Sequence, residues 1–290
     1  MRSVTVLAPA KLNLTLDITG SRPDGYHTVD MILQAVSLYE RVTVRKSEGF
    51  SLLLPGSGVP ANEHNTAWKA ANAFFYETGL LAGAAITVEK HVPVRAGMAG
   101  GSADAAAELV ALNALYGARL SRAELCAIGA RVGADVPFCI SGGTAHATGI
   151  GEKLEPLSPC PPCFFTVCMP KGGISTPQAY ARYDALGTDE HPDTSAALCA
   201  LGAGDLPALC AQMKNALSFS SSGHDTAPIC RILREHGAGA ALMTGSGAAV
   251  FGVFRHEAAA AAARDALATL YPRAWVLTPD PQGARIVHTT

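Results

Sequence analysis

The stretch that most narrows what this chain can fold into runs from residue 85 to residue 116. A strand-like run, Ala85-Ile-Thr-Val-Glu-Lys90, leads into the turn Val92-Pro-Val-Arg-Ala-Gly-Met-Ala-Gly-Gly-Ser-Ala-Asp104, which opens an Ala/Leu-rich helix expected over residues 105–116. Small residues let a backbone approach a ligand closely, and the first N–H groups of a helix have no partner inside it. Such a turn is a ready seat for phosphate, favoured by the helix dipole as well as by the donors. It is equally a way to join a strand to a buried helix with nothing bound. Ser102 offers a hydroxyl to a phosphate or a metal, and Asp104 stands near enough to the helix start to serve its end.

Commoner phosphate motifs are excluded. The chain has no G-x-x-x-x-G-K-[ST], no G-x-G-x-x-G after a strand, and no H-R-D with D-F-G, so neither a Walker loop, a dinucleotide fingerprint nor a protein kinase is encoded. With 290 residues there is length for one large domain or two smaller ones. A hydrophobic fraction of 49% against 16% charged places it among globular proteins. Lys plus Arg number 22 and Asp plus Glu 24, a net charge of −2, which disfavours a dedicated nucleic-acid binder. The amino terminus lacks the apolar region of a secretory signal, and no apolar run reaches bilayer length. A cytoplasmic protein without nucleic-acid or membrane partners is expected, its oligomeric state unreadable. Eight scattered cysteines fit reduced thiols. Cys160-Pro-Pro-Cys163 lacks a second pair and a nearby His, and reads as a loop.

Strands are expected over residues 4–7, 12–18, 42–46 and 50–54, and a helix over 66–76 with Asn65 as its N-cap. Ser121 caps a helix over 122–132, with Glu124 three residues on. The Pro-rich stretch 156–162 is the expected boundary between a domain of residues 1–155, carrying the Gly-rich turn, and one of residues 156–290. Beyond it come a strand at 164–169 and helices at 176–186, 196–201, 206–216 and 226–235. A hairpin of 240–244 and 248–254, a helix at 258–270 and a strand at 274–277 complete the chain. This order suits two α+β halves better than a β-α-β alternation.

Two further elements carry chemistry. Lys11 sits in Pro9-Ala-Lys-Leu-Asn13, among apolar neighbours where a lysine is often a snorkelling surface residue. Gly133-Ala-Asp135-Val-Pro-Phe138 puts an aspartate after a helix and before an expected strand, where a plain turn residue also fits. Phosphoryl transfer to an alcohol needs a phosphate cradle, a carboxylate to take the hydroxyl proton, and positive charge on the phosphoryl group. The turn at 97–102, Asp135 and Lys11 supply one each if the fold brings them together.

Residues 93–106 resemble the central motif of the GHMP small-molecule kinases. Ala8-Pro-Ala-Lys-Leu-Asn-Leu14, Arg22-Pro-Asp-Gly-Tyr-His27, Glu63-His-Asn-Thr66, Gly133-Ala-Asp-Val-Pro-Phe138 and Thr244-Gly-Ser-Gly247 resemble, in order, the branch of that family acting on a cytidine-diphosphate methylerythritol. The resemblance implies a two-domain α+β fold, its first half like a ribosomal protein domain and its second ferredoxin-like, with the active site between them. It implies ATP-dependent phosphorylation of the acceptor's 2-hydroxyl in non-mevalonate isoprenoid precursor synthesis, with ATP and Mg2+ as cofactors. Asp135 then matches the catalytic aspartate and Lys11 the lysine paired with it. Asn13, Tyr26, His27 and Tyr180 match acceptor-binding positions, the aromatics around the cytosine. Asn65 and Lys90 match positions near the adenine, and Gly97, Gly100, Gly101 and Ser102 the phosphate loop, Ser102 being also the residue nearest any magnesium.

The chain departs from the family pattern in its loop. Gly97-Met-Ala-Gly-Gly-Ser-Ala103 stands where Gly-Leu-Gly-Gly-Gly-Ser-Ser is usual. Met98 conserves volume. Ala99 matters if the position needs a positive φ, and Ala103 removes a second hydroxyl. The rival readings are a homoserine- or mevalonate-type kinase, a non-catalytic nucleotide-binding protein, and an RNA-binding module, the last disfavoured by charge.

Overall fold

The computed structural model describes residues 1–218 and 226–290. Its organising element is a long antiparallel hairpin of β1 (Ser3–Ser21) and β2 (His27–Ser47). The connecting turn is tied by Asp24, whose carboxylate accepts from the Tyr26 N–H at 3.1 Å. The two strands expected before and after Pro9 are one. The ring stays in the strand because the register with β2 slips between Pro9 and Ala10, the kind of irregularity that tolerates a missing N–H. The slip also divides the hydrophobic load. Val4, Val6 and Ala8 enter one core, while Ala10, Leu12, Leu14, Leu16 and Ile18 enter another.

Around the hairpin, β3 (Ser51–Leu53) lies parallel to β4 (Gly83–Glu89), and β4 pairs with β2. Two short strands, β5 (Thr144–Thr148) and β6 (Lys153–Pro156), branch from the middle of β2. Helices α1 (Thr66–Thr78), α2 (Gly100–Tyr116), α3 (Arg122–Val132) and α4 (Val136–Ser141) join this sheet, and its first core packs Val42 and Val44 against Phe74, Leu109 and Leu112. The α3 boundaries are those read from sequence, and Ser121 and Glu124 form the expected reciprocal cap. Two local expectations need correction. α2 begins inside the glycine run at Gly100 rather than at 105, so Gly100, Gly101 and Ser102 are themselves its first turn. Asp135 leads into a one-and-a-half-turn helix, α4, with Pro137 in its first turn, and not into a strand.

The second half contains β7 (Phe164–Met169), α5 (Thr176–Leu186), α6 (Thr194–Gly202), α7 (Leu206–Gln212), α8 (Thr226–Glu235), β8 (Ala240–Met243), β9 (Val250–Phe254), α9 (Glu257–Ala268) and β10 (Arg273–Leu277). Its antiparallel strands run β10-β7-β9-β8. Leaving α5 to α7 as an excursion, β7-α8-β8-β9-α9-β10 is a β-α-β-β-α-β unit in ferredoxin-like order. α7 ends at Gln212, four residues before its expected end, and the chain turns to bond the first half: Leu16 N–H donates to Lys214 O at 3.0 Å and Ala216 N–H to Leu16 O at 2.9 Å. The last strand, β11 (Arg285–Thr289), also returns, pairing with the free side of β1. Among the described residues no helix is long and apolar enough to cross a membrane.

Candidate active site

All twelve residues singled out from the sequence line one cleft of about 890 Å3. One wall is the loop before α2 and the helix's first turn. α2 is largely apolar and buried along most of its length, so its start is fixed by packing, and Gly100, Gly101 and Ser102, whose N–H groups lead the helix, line the cleft. Gly97 has φ +75, and a Cβ there would stand 2.1 Å from Thr244 O, so the crossing of the two motifs is possible only for glycine. Thr66 Oγ1 donates to Gly101 O at 2.7 Å and ties α1 to the loop. Ala99 has φ +59, the left-handed conformation in which the family's usual glycine is at ease and an alanine is strained.

The centre of the cleft holds Lys11 and Asp135. Lys11 is carried by β1 just past the slip at Pro9, and its backbone N–H donates to Met98 O at 3.2 Å. Its ammonium donates to Asn13 Oδ1 at 2.6 Å and lies 3.9 Å from Asp135 Oδ2. The Asp135 carboxylate makes no capping bond to α4 and is about a third exposed, whereas Lys11 is buried. A carboxylate beside a cation, and open to a ligand, is an acceptor for a hydroxyl proton. Asn13 is oriented across the two halves: its N–H donates to Thr244 Oγ1 at 3.0 Å, and that hydroxyl donates to Asn13 Oδ1 at 3.3 Å. Ser102 is the neighbour of this centre, since a Cβ on Gly133 would stand 3.8 Å from its Oγ.

The far wall is aromatic. His27, at the start of β2, stacks on Tyr180 of α5 with ring centres 4.8 Å apart, and its Nε2 pairs with Asp184 Oδ1 at 2.6 Å. Tyr180 has its hydroxyl pKa pushed up to about 12 by burial and by the charge of Asp135. Tyr26 stands exposed on the rim. Flat faces of this kind hold a nucleobase by stacking.

The two residues matched to the adenine are differently placed. Asn65 caps α1, accepting from Ala67 N–H at 2.9 Å and donating to Pro60 O at 3.0 Å, so most of its amide is already engaged. Lys90 turns beneath the loop, 2.5 Å from Glu40 Oε1 and 2.7 Å from Asp104 Oδ2, all three buried. Burial alone would lower the Lys90 pKa, but Asp104 and Glu40 together raise it. Burial pushes the Asp104 carboxyl up to about 7, with Lys90 opposing and Glu40 reinforcing. Asp104 is therefore an ion-pair partner and not the helix-end residue expected from its position. One turn on, Glu108 is fully buried with neither oxygen hydrogen-bonded among the described residues, and burial raises its pKa well above the usual carboxylate range.

Sequence reasoning missed Thr244 as an orienting residue and missed the Glu40 ion pair altogether. The Thr244-Gly-Ser-Gly247 motif carried a signal for the first; an unremarkable Glu in a strand carried none for the second. Cys160 and Cys163 come within 3.9 Å of each other, buried and away from the cleft lining.

The GHMP kinases N terminal domain matches residues 65–143 and the GHMP kinases C terminal domain residues 196–273. The 4-diphosphocytidyl-2-C-methyl-D-erythritol kinase of Carboxydothermus hydrogenoformans is 46% identical over 74% of this chain and 75% of its own length. The enzyme of the same name from Synechococcus sp. (strain JA-3-3Ab) is 40% identical over 99% of this chain and all of its own. A crystal structure of 4-(cytidine 5'-diphospho)-2C-methyl-D-erythritol kinase superposes with a TM-score of 0.79 at 34% identity, covering 94% of this chain and 98% of that one. Homoserine kinase from Cytophaga hutchinsonii shares the fold, with a TM-score of 0.81 at 17% identity over 99% and 98% of the two chains. The chain thus belongs to the GHMP kinase family, among the 4-diphosphocytidyl-2-C-methyl-D-erythritol kinases.

Proposed function

We propose that this protein transfers the γ-phosphoryl group of ATP to the 2-hydroxyl of 4-diphosphocytidyl-2-C-methyl-D-erythritol. The observation that carries the reading is the Lys11–Asp135 pair, 3.9 Å apart, in a cleft with a phosphate-type helix start on one wall and stacked aromatic rings on the other. The acceptor oxygen attacks the γ-phosphorus and the bond to the bridging oxygen breaks. ADP leaves with that electron pair, and the hydroxyl proton passes to Asp135. Lys11, 3.9 Å from the Asp135 carboxylate, faces, with the N–H groups of Gly100, Gly101 and Ser102, the negative charge of the transferred group. Asn13 orients the acceptor, and His27, Tyr180 and Tyr26 hold its cytosine.

Magnesium fits this site as an ion carried in by the nucleotide. The described residues hold no cluster of three or more His, Cys, Asp or Glu side chains that makes a cage. A hydroxyl at Ser102 beside the turn bearing Asp135 is, however, the sparse oxygen set that Mg2+ accepts alongside phosphate oxygens and water. When bound, it neutralises charge on the β- and γ-phosphates.

For Asn65 and Lys90 the proposed adenine contacts fall to what their structural bonds leave over, Asn65 keeping one amide hydrogen. The division into domains of residues 1–155 and 156–290 belongs to the same proposal, with β11 crossing back to the first. So does a cytoplasmic location, where ATP is abundant.

The test is phosphate transfer from ATP to the cytidylyl acceptor, with homoserine and mevalonate as controls. ADP release that depends on the cytidylyl acceptor and is blocked by excess CDP is expected. Equal release with either control would favour the homoserine- or mevalonate-type reading, and no release with any acceptor a non-catalytic one.

A further inference from the structure

Three lysines and arginines line the cleft: Lys11, Lys90 and Arg95. Lys11 is engaged by Asn13 and Asp135, and Lys90 by Glu40 and Asp104. On the rim, Asp24 is held by Arg22 at 2.8 Å. Among the described residues, no hydrogen bond or ion pair engages the guanidinium of Arg95. Among the described residues it is the one lining Lys or Arg left uncommitted.

Its attachment is as particular as its charge. Arg95 lies two residues ahead of Gly97 and has φ +56, a backbone conformation that disfavours any side chain. The surroundings impose it. Ala248 N–H donates to Arg95 O at 3.2 Å and Ala249 N–H to Ala96 O at 3.1 Å. The loop before α5 presses on the stem, for a Cβ on Gly173 would stand 2.5 Å from the Arg95 Cβ. Strained residues held by their neighbours in this way occur where a side chain must be aimed at a ligand.

The ligands proposed above bring a triphosphate and a diphosphate into a cleft whose lining Lys, Arg and Asp side chains balance: Lys11, Lys90 and Arg95 against Asp24, Asp104 and Asp135. The partial charge of a helix start is roughly half an elementary charge, too little to offset either ligand. A free guanidinium forms paired charge-assisted hydrogen bonds to phosphate oxygens. Taking the proposed reaction as its basis, we infer that Arg95 is a phosphate-binding residue of this cleft, contacting a nucleoside polyphosphate between the Gly-rich loop and the start of α5.

The experiment measures binding of ADP, adenosine, CDP and cytidine to the wild-type protein and to Arg95→Gln and Arg95→Lys by titration calorimetry. Arg95→Gln is expected to weaken ADP or CDP on the order of tenfold while the matching nucleoside binds as before, and Arg95→Lys, which restores the charge but not the paired hydrogen bonds, to recover only part of the loss. A loss confined to ADP places the contact on the phosphoryl donor; one confined to CDP places it on the acceptor. Unchanged affinity for both diphosphates, or equal weakening of nucleoside and diphosphate, overturns the assignment. Failure of the wild-type protein to bind CDP or cytidine would instead count against the proposed acceptor, while the ADP and adenosine arm still decides the role of Arg95.

Discussion

Two lysines of this protein each meet carboxylates on the same side of the molecule, and they are built to opposite specifications. Lys11 and Asp135 are 3.9 Å apart, with the carboxylate about a third exposed and spared from capping its helix. Lys90, Glu40 and Asp104 are locked at 2.5 and 2.7 Å with no exposed member. A loose, accessible pair has room for a hydroxyl group to enter and leave a proton. A tight, buried triad has none; it shapes the turn above it, Glu40 also accepting the His91 N–H at 2.8 Å. Proximity of opposite charges is common to both. Access separates chemistry from construction.

Exchanging one atom at the open pair gives the largest effect. Asp135→Asn should cut turnover about 100- to 10,000-fold, because the proton acceptor is lost while the cradle remains. ADP affinity, measured by titration, should be unchanged. Turnover near that of the wild type would remove the distinction between the two sites.

At the closed triad, Lys90→Met should leave two buried carboxylates facing each other and lower stability by roughly 3–5 kcal/mol. Lys11→Met should instead act mainly on turnover. Chemical denaturation of both variants would expose the contrast, and equal destabilisation would refute it.

The triad also sets a pH dependence. Asp104 titrates at about 7 in the fold, against an ordinary value of 3.8. The folded state therefore binds more protons than the unfolded one between those values, and stability falls as pH rises from about 4 to about 7. Glu108, raised by burial, pulls in the same direction. Thermal midpoints measured from pH 5 to 7.5 should decline in the wild type and decline less in Asp104→Asn. An identical slope in both would mean Asp104 is ionised throughout.

The smallest change concerns the loop between the two lysines. Ala99→Gly should relieve the left-handed strain at the price of chain entropy, a net stabilisation of about 0.5–1 kcal/mol. Urea midpoints would show it, and a loss of stability would mean that the alanine methyl contributes packing.

What could be read from the residues followed from local rules. The α3 boundaries came from Ser121 and Glu124, and the strands and helices of the second half from periodic runs separated by turn residues, while its ferredoxin-like order came from the family resemblance. β2 was foreseen over residues 42–46 only, because residues 31–34 are paired on both edges, by β1 and β5, and the run 31–36 is buried throughout, so this part of the strand shows no alternation of polar and apolar side chains. α4 escaped notice because six residues after a glycine turn have too little periodicity to register. The site residues were legible only through motifs. Their convergence is tertiary: Lys11, Asp135 and Tyr180 are far apart in the chain, and Glu40 reaches Lys90 across fifty positions.

Thr244 has a consequence of its own. Its hydroxyl clasps Asn13, its carbonyl lies against Gly97, and the Lys11 N–H is anchored to Met98. Asn13, Lys11 and the Gly-rich loop are thus riveted to one another by the Thr244 hydroxyl and by main-chain contacts. The contacts set all three in one register. Damage to that rivet should surface as misfired alignment, with nucleotide still held and turnover gone.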